Sequence, residues 1–565
     1  MNTKTIFSAL AQLTQIITEF AHSHAIPTTI IELVNTTLLS DHQKHELGDI
    51  TTNAAMVFGK YLKVNPATIG QELLDVITAN TDAQEYISAT TLVKPGFINI
   101  TLKEAIFLEQ ARYFFAAQST QPFAIVEAEQ KPYSYNIEFV SANPTGPLHL
   151  GHGRGGIIGN TLAHILRYCG YQATQEFYIN DAGNQINKLG QSLKIRYLQK
   201  LHPSDILPMP EDGYQGEYLV AIAEQLVQEN KDALANKEDS YFAQIAKDQL
   251  LAYQQETLRN YGIEFDVWFS EKTLHASNAI QQAIESVIQA GHTYTTEDGT
   301  LWFASTKFGD DKDRVLRKSN GELTYVAADF AYLQNKKNRG FNKLVMILGQ
   351  DHHGYVNRMK AAMQALGYNP EDLDIILYQL VTLKECGEQV RMSKRAGKIV
   401  ELADVVEAVT ADVARFFYLN KKADAHLEFD IALALSQSEE NPVFYIQYAY
   451  VRIESILKKA AQHSPLTAIN TEDLQILSSD ERLIIKKILE LHTLLWSITH
   501  NYQTHLLSYY TTEIARLLHS YYTNHKVIDI ENIATSRHRI AFLMIIQATC
   551  GLCLDLLGIS KKTSM

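Results

Sequence analysis

The segment from Tyr133 to Gly170 constrains the fold more than any other part of the sequence. It begins with a strand-like run, Tyr-Ser-Tyr-Asn-Ile-Glu-Phe-Val (133–140), which prolines and glycines at 144–147 then interrupt. Farther on, apolar residues recur at helical spacing and share one face of a helix that ends near Gly170. These apolar residues are Ile158, Leu162, Ile165, Leu166 and Cys169. The segment therefore predicts a strand, a tight turn and a helix.

The turn in this unit suits a phosphate group. A helix N-terminus presents free N–H groups and the positive end of its dipole, and small glycines let a polyanion approach the backbone. His149 and His152 flank Gly151, so we expect both imidazoles to donate hydrogen bonds to one bound group. Such a pair alone is more often a cap or a surface feature. The strand, turn and glycines around it supply the context that a phosphate-binding motif requires.

A second alternating unit follows at 323–381. It predicts a helix opened by Thr324–Asp329, a buried strand, a turn, another helix and another strand. The last four of these are expected at Leu344–Leu348, Gly349–Gly354, Val356–Leu366 and Ile375–Val381. Alternating strands and helices predict a parallel sheet with right-handed crossovers, and ligands bind beyond the carboxyl ends of such strands. We expect the histidine turn and the turn at Gly349–Gly354 to face a single cleft.

Two motifs carry a resemblance to a known family. His-Leu-Gly-His (149–152) resembles the histidine signature of class I aminoacyl-tRNA synthetases, and residues 141–155 resemble its arginyl-tRNA synthetase version almost residue for residue. Arg391-Met-Ser-Lys-Arg395 is similar to the second class I signature, Lys-Met-Ser-Lys-Ser. Lys394 keeps the essential cation, whereas Arg391 and Arg395 depart from the pattern, and a guanidinium is not a point charge like an ammonium. An isolated basic run would otherwise indicate a solvated loop.

The resemblance implies a reaction and its residues. The carboxylate of L-arginine attacks the α-phosphate of ATP, pyrophosphate leaves, and arginine passes to the 2′-hydroxyl of the terminal adenosine of tRNA(Arg). The catalytic residues implied are His149, His152 and Lys394. The implied ATP-binding residues are His149, Gly151, His152, Gly155, Met392, Ser393 and Lys394. The implied arginine-binding residues are Glu138, Asn143, Tyr325, Asp329 and Gln350. Mg²⁺ is expected with ATP, without a protein-bound structural metal.

The expected fold class is multidomain α/β. By resemblance, residues 1–120 form an α+β domain that contacts tRNA, with signatures at 45–56 and 94–100 that predict a turn entering a helix and a Pro-Gly turn leading into a strand. Residues 121–400 form a Rossmann-type catalytic domain with an insertion at about 185–320, in which the cluster Gly309–Arg314 is expected to be a solvated turn. Residues 401–565 form an all-helical stem and anticodon-binding domain, where most tyrosines are expected in the core.

Composition limits the alternatives. A chain of 565 residues needs two to four domains. The net charge of −13 argues against a general polyanion binder, although residues 445–565 hold 12 Lys and Arg against 10 Asp and Glu. The cysteines lack a zinc pattern and fit a reducing cytoplasm. No N-terminal targeting pattern is found, and no stretch is expected to reach the ~18–20 apolar residues of a membrane span. A cytoplasmic monomer without membrane contact is expected.

Two other functions compete with that of an arginyl-tRNA synthetase. Another class I synthetase or a small nucleotidyltransferase uses the same histidine motif. Small transferases need no long helical tail such as this chain has. Synthetases for Ile, Val or Leu carry a large editing insertion that this chain is too short to hold. The other alternative is a non-catalytic RNA-binding relative, which the intact His149, His152 and Lys394 argue against.

Overall fold

A computed structural model of the protein describes residues 4–39, 47–117, 123, 133–203, 207–385, 388–389, 401–438 and 440–564. Its N-terminal region is a four-stranded antiparallel sheet, ordered β1-β2-β4-β3, packed against helices. The elements are α1 (Ile6–Ser23), α2 (Thr28–Ile31), β1 (Thr36–Leu38), β2 (Ile50–Thr52), α3 (Ala54–Leu62), α4 (Pro66–Ala79), β3 (Ile87–Val93), β4 (Phe97–Leu102) and α5 (Glu104–Ala116). The helix that the 45–56 signature predicts begins at Ala54, and the predicted strand after Pro95-Gly96 is also confirmed.

The central region alternates strands and helices, as predicted. Its elements up to the insertion are β5 (Ser134–Phe139), α6 (Leu150–Tyr168), β6 (Gln172–Ile179), α7 (Asn184–Leu201), α8 (Glu217–Asn230), α9 (Asp239–Asn260) and β7 (Val267–Ser270). The following elements are α10 (Lys272–Ala276), α11 (Ala279–Gln289), β8 (Thr293–Thr295), β9 (Leu301–Phe303), β10 (Arg314–Arg317), α12 (Tyr325–Asn338), β11 (Lys343–Gly349), α13 (Tyr355–Ala365), β12 (Leu373–Tyr378), β13 (Val381–Glu385) and β14 (Glu388–Gln389).

A five-stranded parallel sheet organises this region. The strand order is β12-β11-β5-β6-β7, and each neighbouring pair runs parallel. The chain moves from β5 to β6 and β7 on one side and reaches β11 and β12 on the other, so the order reverses at β5. Ligands bind beyond the carboxyl ends of strands at such a switch point. The turns that follow β5 and β11 are therefore neighbours, as the sequence predicts.

The insertion has cores of its own. Helices α7, α8 and α9 pack around Leu193, Tyr197 and Phe242, while β8, β9 and β10 form a small antiparallel sheet. The expectation of a solvated turn at Gly309–Arg314 was wrong in part. The Asp310 side chain is 1% exposed and accepts two hydrogen bonds of 2.8 Å from the Arg314 guanidinium. Bidentate pairing lets the two charges leave water.

The C-terminal region is helical with one exception. Its helices are α14 (Leu402–Val409), α15 (Ala411–Leu419), α16 (Ile431–Leu435), α17 (Pro442–Ala460), α18 (Ser479–Asn501), α19 (His505–Asn524) and α20 (Ile533–Leu557). The strand β15 (Leu427–Asp430) pairs in parallel with β13, so the description of the whole segment as helical was too broad. Of the tyrosines expected in the core, Tyr510 and Tyr521 are buried, whereas Tyr509 is 43% exposed.

Helix α20 corrects one expectation. By length and composition it is apolar enough to cross a membrane, contrary to the expectation that no stretch reaches that length. In the structure 72% of its most apolar window is buried. It packs against α5, α6, α17 and α19, so its apolar character is explained by burial in the bundle core.

Buried Arg415 ties this bundle to the parallel-sheet region. Its guanidinium donates to the backbone oxygens of Leu557 (2.9 Å) and Tyr261 (2.8 Å) and to Oδ1 of Asn160 (2.7 Å). The C-terminal carbonyls of helices need donors, and here one cation supplies them for α20 and the turn after α9. The same contact fixes α6, the helix that follows the histidine turn.

Candidate active site

A cavity of about 480 Å³ opens at the carboxyl ends of β5 and β11. The turn after β5, the first turn of α6, the start of α12 and the turn after β11 form its walls. Among the predicted site residues it brings together Glu138, Asn143, His149, His152, Tyr325 and Asp329. The prediction that the two strand-end turns share one cleft is confirmed.

His149 and His152 are locked against each other by the backbone. His149 is the N-cap of α6, and its Nδ1 accepts the Gly151 N–H at 3.1 Å. His152 Nδ1 accepts the His149 N–H, also at 3.1 Å, and the rings stack with centroids 3.7 Å apart. Because each Nδ1 is an acceptor, each neutral ring carries its proton on Nε2. The Nε2–H groups are thus the donors available to a ligand.

The electrostatics of His152 agree with a neutral donor. Burial, followed by the neighbouring His149, lowers the pKa of His152 to about 3. The ring therefore stays uncharged over the physiological pH range and stabilises an anion through a hydrogen bond rather than through a full charge.

The glycines of α6 serve packing more than ligand approach. A Cβ on Gly155 would lie 2.7 Å from the Tyr378 ring, and a Cβ on Gly159 would lie 2.4 Å from Phe139. Gly153 and Gly156 are similarly covered by Leu402 and Ile263. These contacts show which side of each glycine meets the packed core, and the assignment of Gly155 to ATP stays a prediction. Gly155 itself does not line the cavity, whereas Tyr378, the residue that covers it, does.

The opposite side of the cavity is rich in carboxylates. Glu138, Glu271, Asp329 and Asp351 all line it. Glu138 is neutralised by Lys336, since the Nζ–Oε2 distance is 2.5 Å and both side chains are at most 5% exposed. Asp351 is 82% exposed beside His352. Glu271 and Asp329 remain as the carboxylates that can meet a cationic ligand, and Arg358 is a cation in the same lining.

Asp329 carries the clearest electrostatic signal. It is half-buried, and Oδ1 accepts the Tyr355 hydroxyl. Burial raises its pKa to about 7 against the opposing effects of Tyr355 and Arg358. Carboxylates with strongly raised pKa values in a cleft are candidates for a functional role.

The other predicted residues are placed less directly. Asn143 donates from Nδ2 to Gln185 Oε1 at 2.9 Å, and Tyr325 is 64% exposed at the start of α12. Gln350 lines a separate cavity of about 580 Å³ beside β12 rather than the one with Asp329. Met392, Ser393 and Lys394 lie outside the described residues.

Sequence reasoning gave no role to several residues of the cavity, among them Glu271, Tyr355 and Arg358. Glu271 comes directly after β7, and strand-end position was a usable signal for it. Tyr355 and Arg358 are one turn apart on α13, immediately after the turn that was predicted to face the cleft. Their helical spacing places them on one face, but only the fold shows that this face meets Asp329.

This arrangement separates two kinds of recognition. Neutral N–H donors at the start of α6 suit phosphate oxygens, and buried carboxylates on the other side suit a cation. Among the described residues, no group of three or more His, Cys, Asp or Glu side chains is arranged to hold a metal ion. The cavity can therefore hold a phosphate-bearing molecule next to a positively charged one.

Comparisons with known proteins agree with this chemistry. The family model described as tRNA synthetases class I (R), catalytic domain, matches residues 123–428. The DALR anticodon binding domain matches 446–565, and the arginyl tRNA synthetase N terminal domain matches 10–102.

Individual relatives cover almost the whole chain. The arginine–tRNA ligase of Bacillus subtilis is 40% identical over 523 residues, which is 92% of both chains. That of Lawsonia intracellularis is 39% identical over 92% of this chain and 94% of its own. The Thermus thermophilus arginyl-tRNA synthetase structure matches with a TM-score of 0.75 at 19% identity, covering 98% of this chain and 100% of that chain. The last likeness concerns the fold alone.

Proposed function

The chain belongs to the arginyl-tRNA synthetase family and is a ligase that attaches arginine to tRNA with ATP, and we propose that it does so in the cavity at the ends of β5 and β11. The observation that carries this assignment is that one cavity places the neutral donors His149 and His152 opposite the half-buried carboxylate of Asp329. ATP carries negatively charged phosphates that suit the histidine donors, and the guanidinium of arginine carries the positive charge that suits the carboxylate.

The first step is formation of arginyl-adenylate. The arginine carboxylate oxygen bonds to the α-phosphorus of ATP, and the bond from that phosphorus to the bridging oxygen of pyrophosphate breaks. Negative charge grows on the phosphate oxygens, so preorganised donors accelerate the step. We assign this role to the Nε2–H groups of His149 and His152, with Gly151 supporting the His149 ring. By resemblance Lys394, Met392 and Ser393 complete the ATP site.

Arginine is selected through its guanidinium. A planar fork of N–H donors is best met by carboxylate oxygens. We assign Asp329 to this contact, with Tyr325 one turn before it on α12. Glu138 and Asn143, which line the same cavity, are assigned to the rest of the amino acid, and Gln350, which lines the neighbouring cavity, is assigned to it by resemblance alone. Glu138 is assigned to the α-ammonium group, which would share its carboxylate with Lys336.

The second step transfers arginine to tRNA(Arg). The 2′-hydroxyl oxygen of the terminal adenosine attacks the arginyl carbonyl carbon, and AMP leaves with the phosphate oxygen. Mg²⁺ is expected to enter with ATP and to neutralise its triphosphate. Asp351, an exposed carboxylate in the same cavity lining as His149, would offer the ion a hard oxygen ligand.

The remaining regions are assigned to tRNA binding. We propose that residues 1–120 contact tRNA, that residues 121–400 with their insertion at about 185–320 form the catalytic domain, and that 401–565 form a stem and the anticodon-binding domain. We further propose a cytoplasmic monomer.

The deciding experiment is ATP–pyrophosphate exchange with each amino acid, run with and without tRNA(Arg). We expect exchange with arginine and little with lysine, which lacks a planar fork. Exchange with a different amino acid would overturn the specificity. Binding of tRNA without any exchange or aminoacylation would identify the non-catalytic relative.

A further inference from the structure

Asp329 is held from a neighbouring helix. Tyr355, the first residue of α13, donates its hydroxyl to Asp329 Oδ1. One turn later on α13, the Arg358 guanidinium lies over the Tyr355 ring at 5.4 Å from its centroid. Stacking of the cation on the ring restrains the tyrosine, and all three side chains line the same cavity.

Arg358 is not committed to another carboxylate. Its Nε has no hydrogen-bond partner, and no ion pair ties its guanidinium elsewhere in the part of the chain that the structure describes. Its charge acts on Asp329, whose pKa it lowers. Arg358 is a half-buried cation near the Asp329 carboxylate without a direct contact to it, which suggests a role in tuning that carboxylate rather than in bridging elements of the fold.

We propose that Tyr355 and Arg358 are positioning residues for arginine recognition, which keep the Asp329 carboxylate charged for its contact with the substrate guanidinium. This inference rests on the proposed function, in which Asp329 binds that guanidinium. Neither residue is assigned a contact with arginine or ATP.

The need for such support follows from the surroundings of Asp329. Burial and two like charges, Glu138 and Glu271, favour the neutral acid, whereas the Tyr355 hydroxyl and the Arg358 charge favour the carboxylate. These effects leave the pKa at about 7. The titratable and charged groups that line the cavity around it come from every wall: Glu138 on β5, His149 and His152 at the start of α6, Tyr178 on β6, Glu271 after β7, Tyr325 on α12, Asp351 and His352 after β11, Tyr355 and Arg358 on α13, and Tyr378 on β12.

The balance has a functional consequence. A neutral acid cannot pair with a guanidinium, so arginine affinity should fall as the pH drops through the pKa of Asp329. Removing the Tyr355 hydroxyl raises this pKa further, because a donor to the charged form is lost. One pKa unit corresponds to a tenfold change in the proton equilibrium. The effect is therefore confined to pH values below the shifted midpoint.

The test is the pH dependence of the KM for arginine in ATP–pyrophosphate exchange with tRNA present. We expect Tyr355→Phe to move the midpoint upward by about one pH unit and to raise the KM for arginine about tenfold below it. Above the midpoint, the variant and the parent should converge. The KM for ATP should stay constant. A KM for arginine raised equally at all pH values would show general damage to the site and overturn the proposal.

Tyr332→Phe is the matched control. It removes a hydroxyl that donates to the buried carboxylate of Glu176, outside the cavity. The same chemical deletion should leave the midpoint unchanged. If it shifts the midpoint as much as Tyr355→Phe does, the hydroxyl of Tyr355 has no special role.

Arg358 is tested by charge removal and rescue. Arg358→Met should also move the midpoint upward, and Arg358→Lys should restore much of the parent behaviour at the same pH. If Arg358 instead competes with the substrate guanidinium, Arg358→Met will bind arginine more tightly, which would overturn its assignment.

Asp329→Asn distinguishes the positioning role of Tyr355 and Arg358 from the proposed function, in which Asp329 binds the guanidinium. If that variant keeps the parent KM for arginine, the assignment of Asp329 to the guanidinium fails. If it loses arginine affinity while Tyr355→Phe and Arg358→Met do not, only the positioning role fails. In the Asp329→Asn background, Tyr355→Phe should add no further change, because the group through which it acts has gone.

Discussion

The imidazoles of His149 and His152 stack with their centroids 3.7 Å apart, and a backbone N–H donates to the Nδ1 of each. The pair is thus fixed in one tautomer by the first turn of the helix that carries it. Preorganisation of this kind matters because the donors need no rearrangement when charge develops on a phosphate.

His152→Ala should therefore slow adenylate formation and leave tRNA binding nearly unchanged. Losing one preorganised donor typically costs about 10²–10³ in rate. Single-turnover formation of arginyl-adenylate measures the step directly. His353→Ala is the control, since His353 belongs to the turn after β11 but lines the neighbouring cavity. Equal rates for the parent and His152→Ala would remove His152 from the mechanism.

The pH dependence of the activation rate should show no titration of His152 near neutral pH. Because the pKa of this imidazole is lowered to about 3, it stays neutral between pH 6 and pH 9. We expect the pH profile of the activation rate at saturating arginine to contain no titration step that comes from His152. The profile of His152→Asn should therefore have the same steps as that of the parent. A step near pH 6.5 that the substitution abolishes would mean that the ring titrates normally.

Lys486 joins the C-terminal bundle to the N-terminal sheet. Its Nζ lies 3.1 Å from Asp49 Oδ1, with the side chains 5% and 14% exposed, and Asp49 Oδ2 accepts the Leu102 N–H. Lys486→Met leaves the half-buried Asp49 carboxylate without its cation, so we expect a loss of about 1–3 kcal/mol in the free energy of unfolding. The change in Tm from calorimetry measures it.

A nearby pair and a double variant serve as controls. Arg482 pairs with Glu104, which is 60% exposed, and Arg482→Met should cost below about 1 kcal/mol. Asp49→Asn with Lys486→Met should recover part of the loss, since no charge is left unpaired. A Lys486→Met protein as stable as the parent would show that the contact contributes little.

Glu481 should make the stability of the bundle depend on acid pH. Burial raises its pKa, but His538, the Ser478 N–H and the Tyr521 hydroxyl outweigh that effect and lower it to about 2. The folded value lies below the unfolded value of about 4.3. The stabilisation is therefore present above pH ~4.3 and is lost as the pH falls toward 2.

Glu481→Gln tests this linkage. Its amide nitrogen would face the Ser478 N–H, which now donates to Oε2 at 2.8 Å. We expect the variant to be less stable than the parent by about 2–3 kcal/mol at pH 7, with the difference shrinking toward pH 2. Denaturation midpoints at several pH values give the comparison. A difference that does not vary with pH would mean that Glu481 acts through packing alone.

The sheet and the histidine turn could be predicted because their signals are local. Apolar runs such as Leu344–Leu348 have strand length, and His149 and His152 stand within a recognisable turn. The roles of the α6 glycines could not be predicted locally, since Tyr378, which covers Gly155, is far away in the chain. Asp310 and Arg314 were misjudged because burial of a charge cluster depends on the fold around it.

The cavity shows the same limit. Asp329 was assigned by resemblance, but its half-buried state and its contact with Tyr355 arise where α12 meets α13. Tyr355 and Arg358 have ordinary helical spacing, which says nothing about the partner they face. Long-range packing therefore decides the electrostatics of a site whose residue types are visible in sequence.

Asp329→Asn should lower arginine activation at least tenfold and up to a hundredfold or more. The substitution keeps the shape but removes the charge and turns one acceptor into a donor facing the guanidinium. A charge-assisted hydrogen bond contributes about 1.5–3 kcal/mol, leaving a cation unpaired adds to the loss, and about 1.4 kcal/mol is a factor of ten. The KM for ATP is the internal control and should barely change. Citrulline, the neutral isostere, should lose much less affinity than arginine when the two proteins are compared. A variant that activates arginine like the parent would show that selection does not pass through this carboxylate.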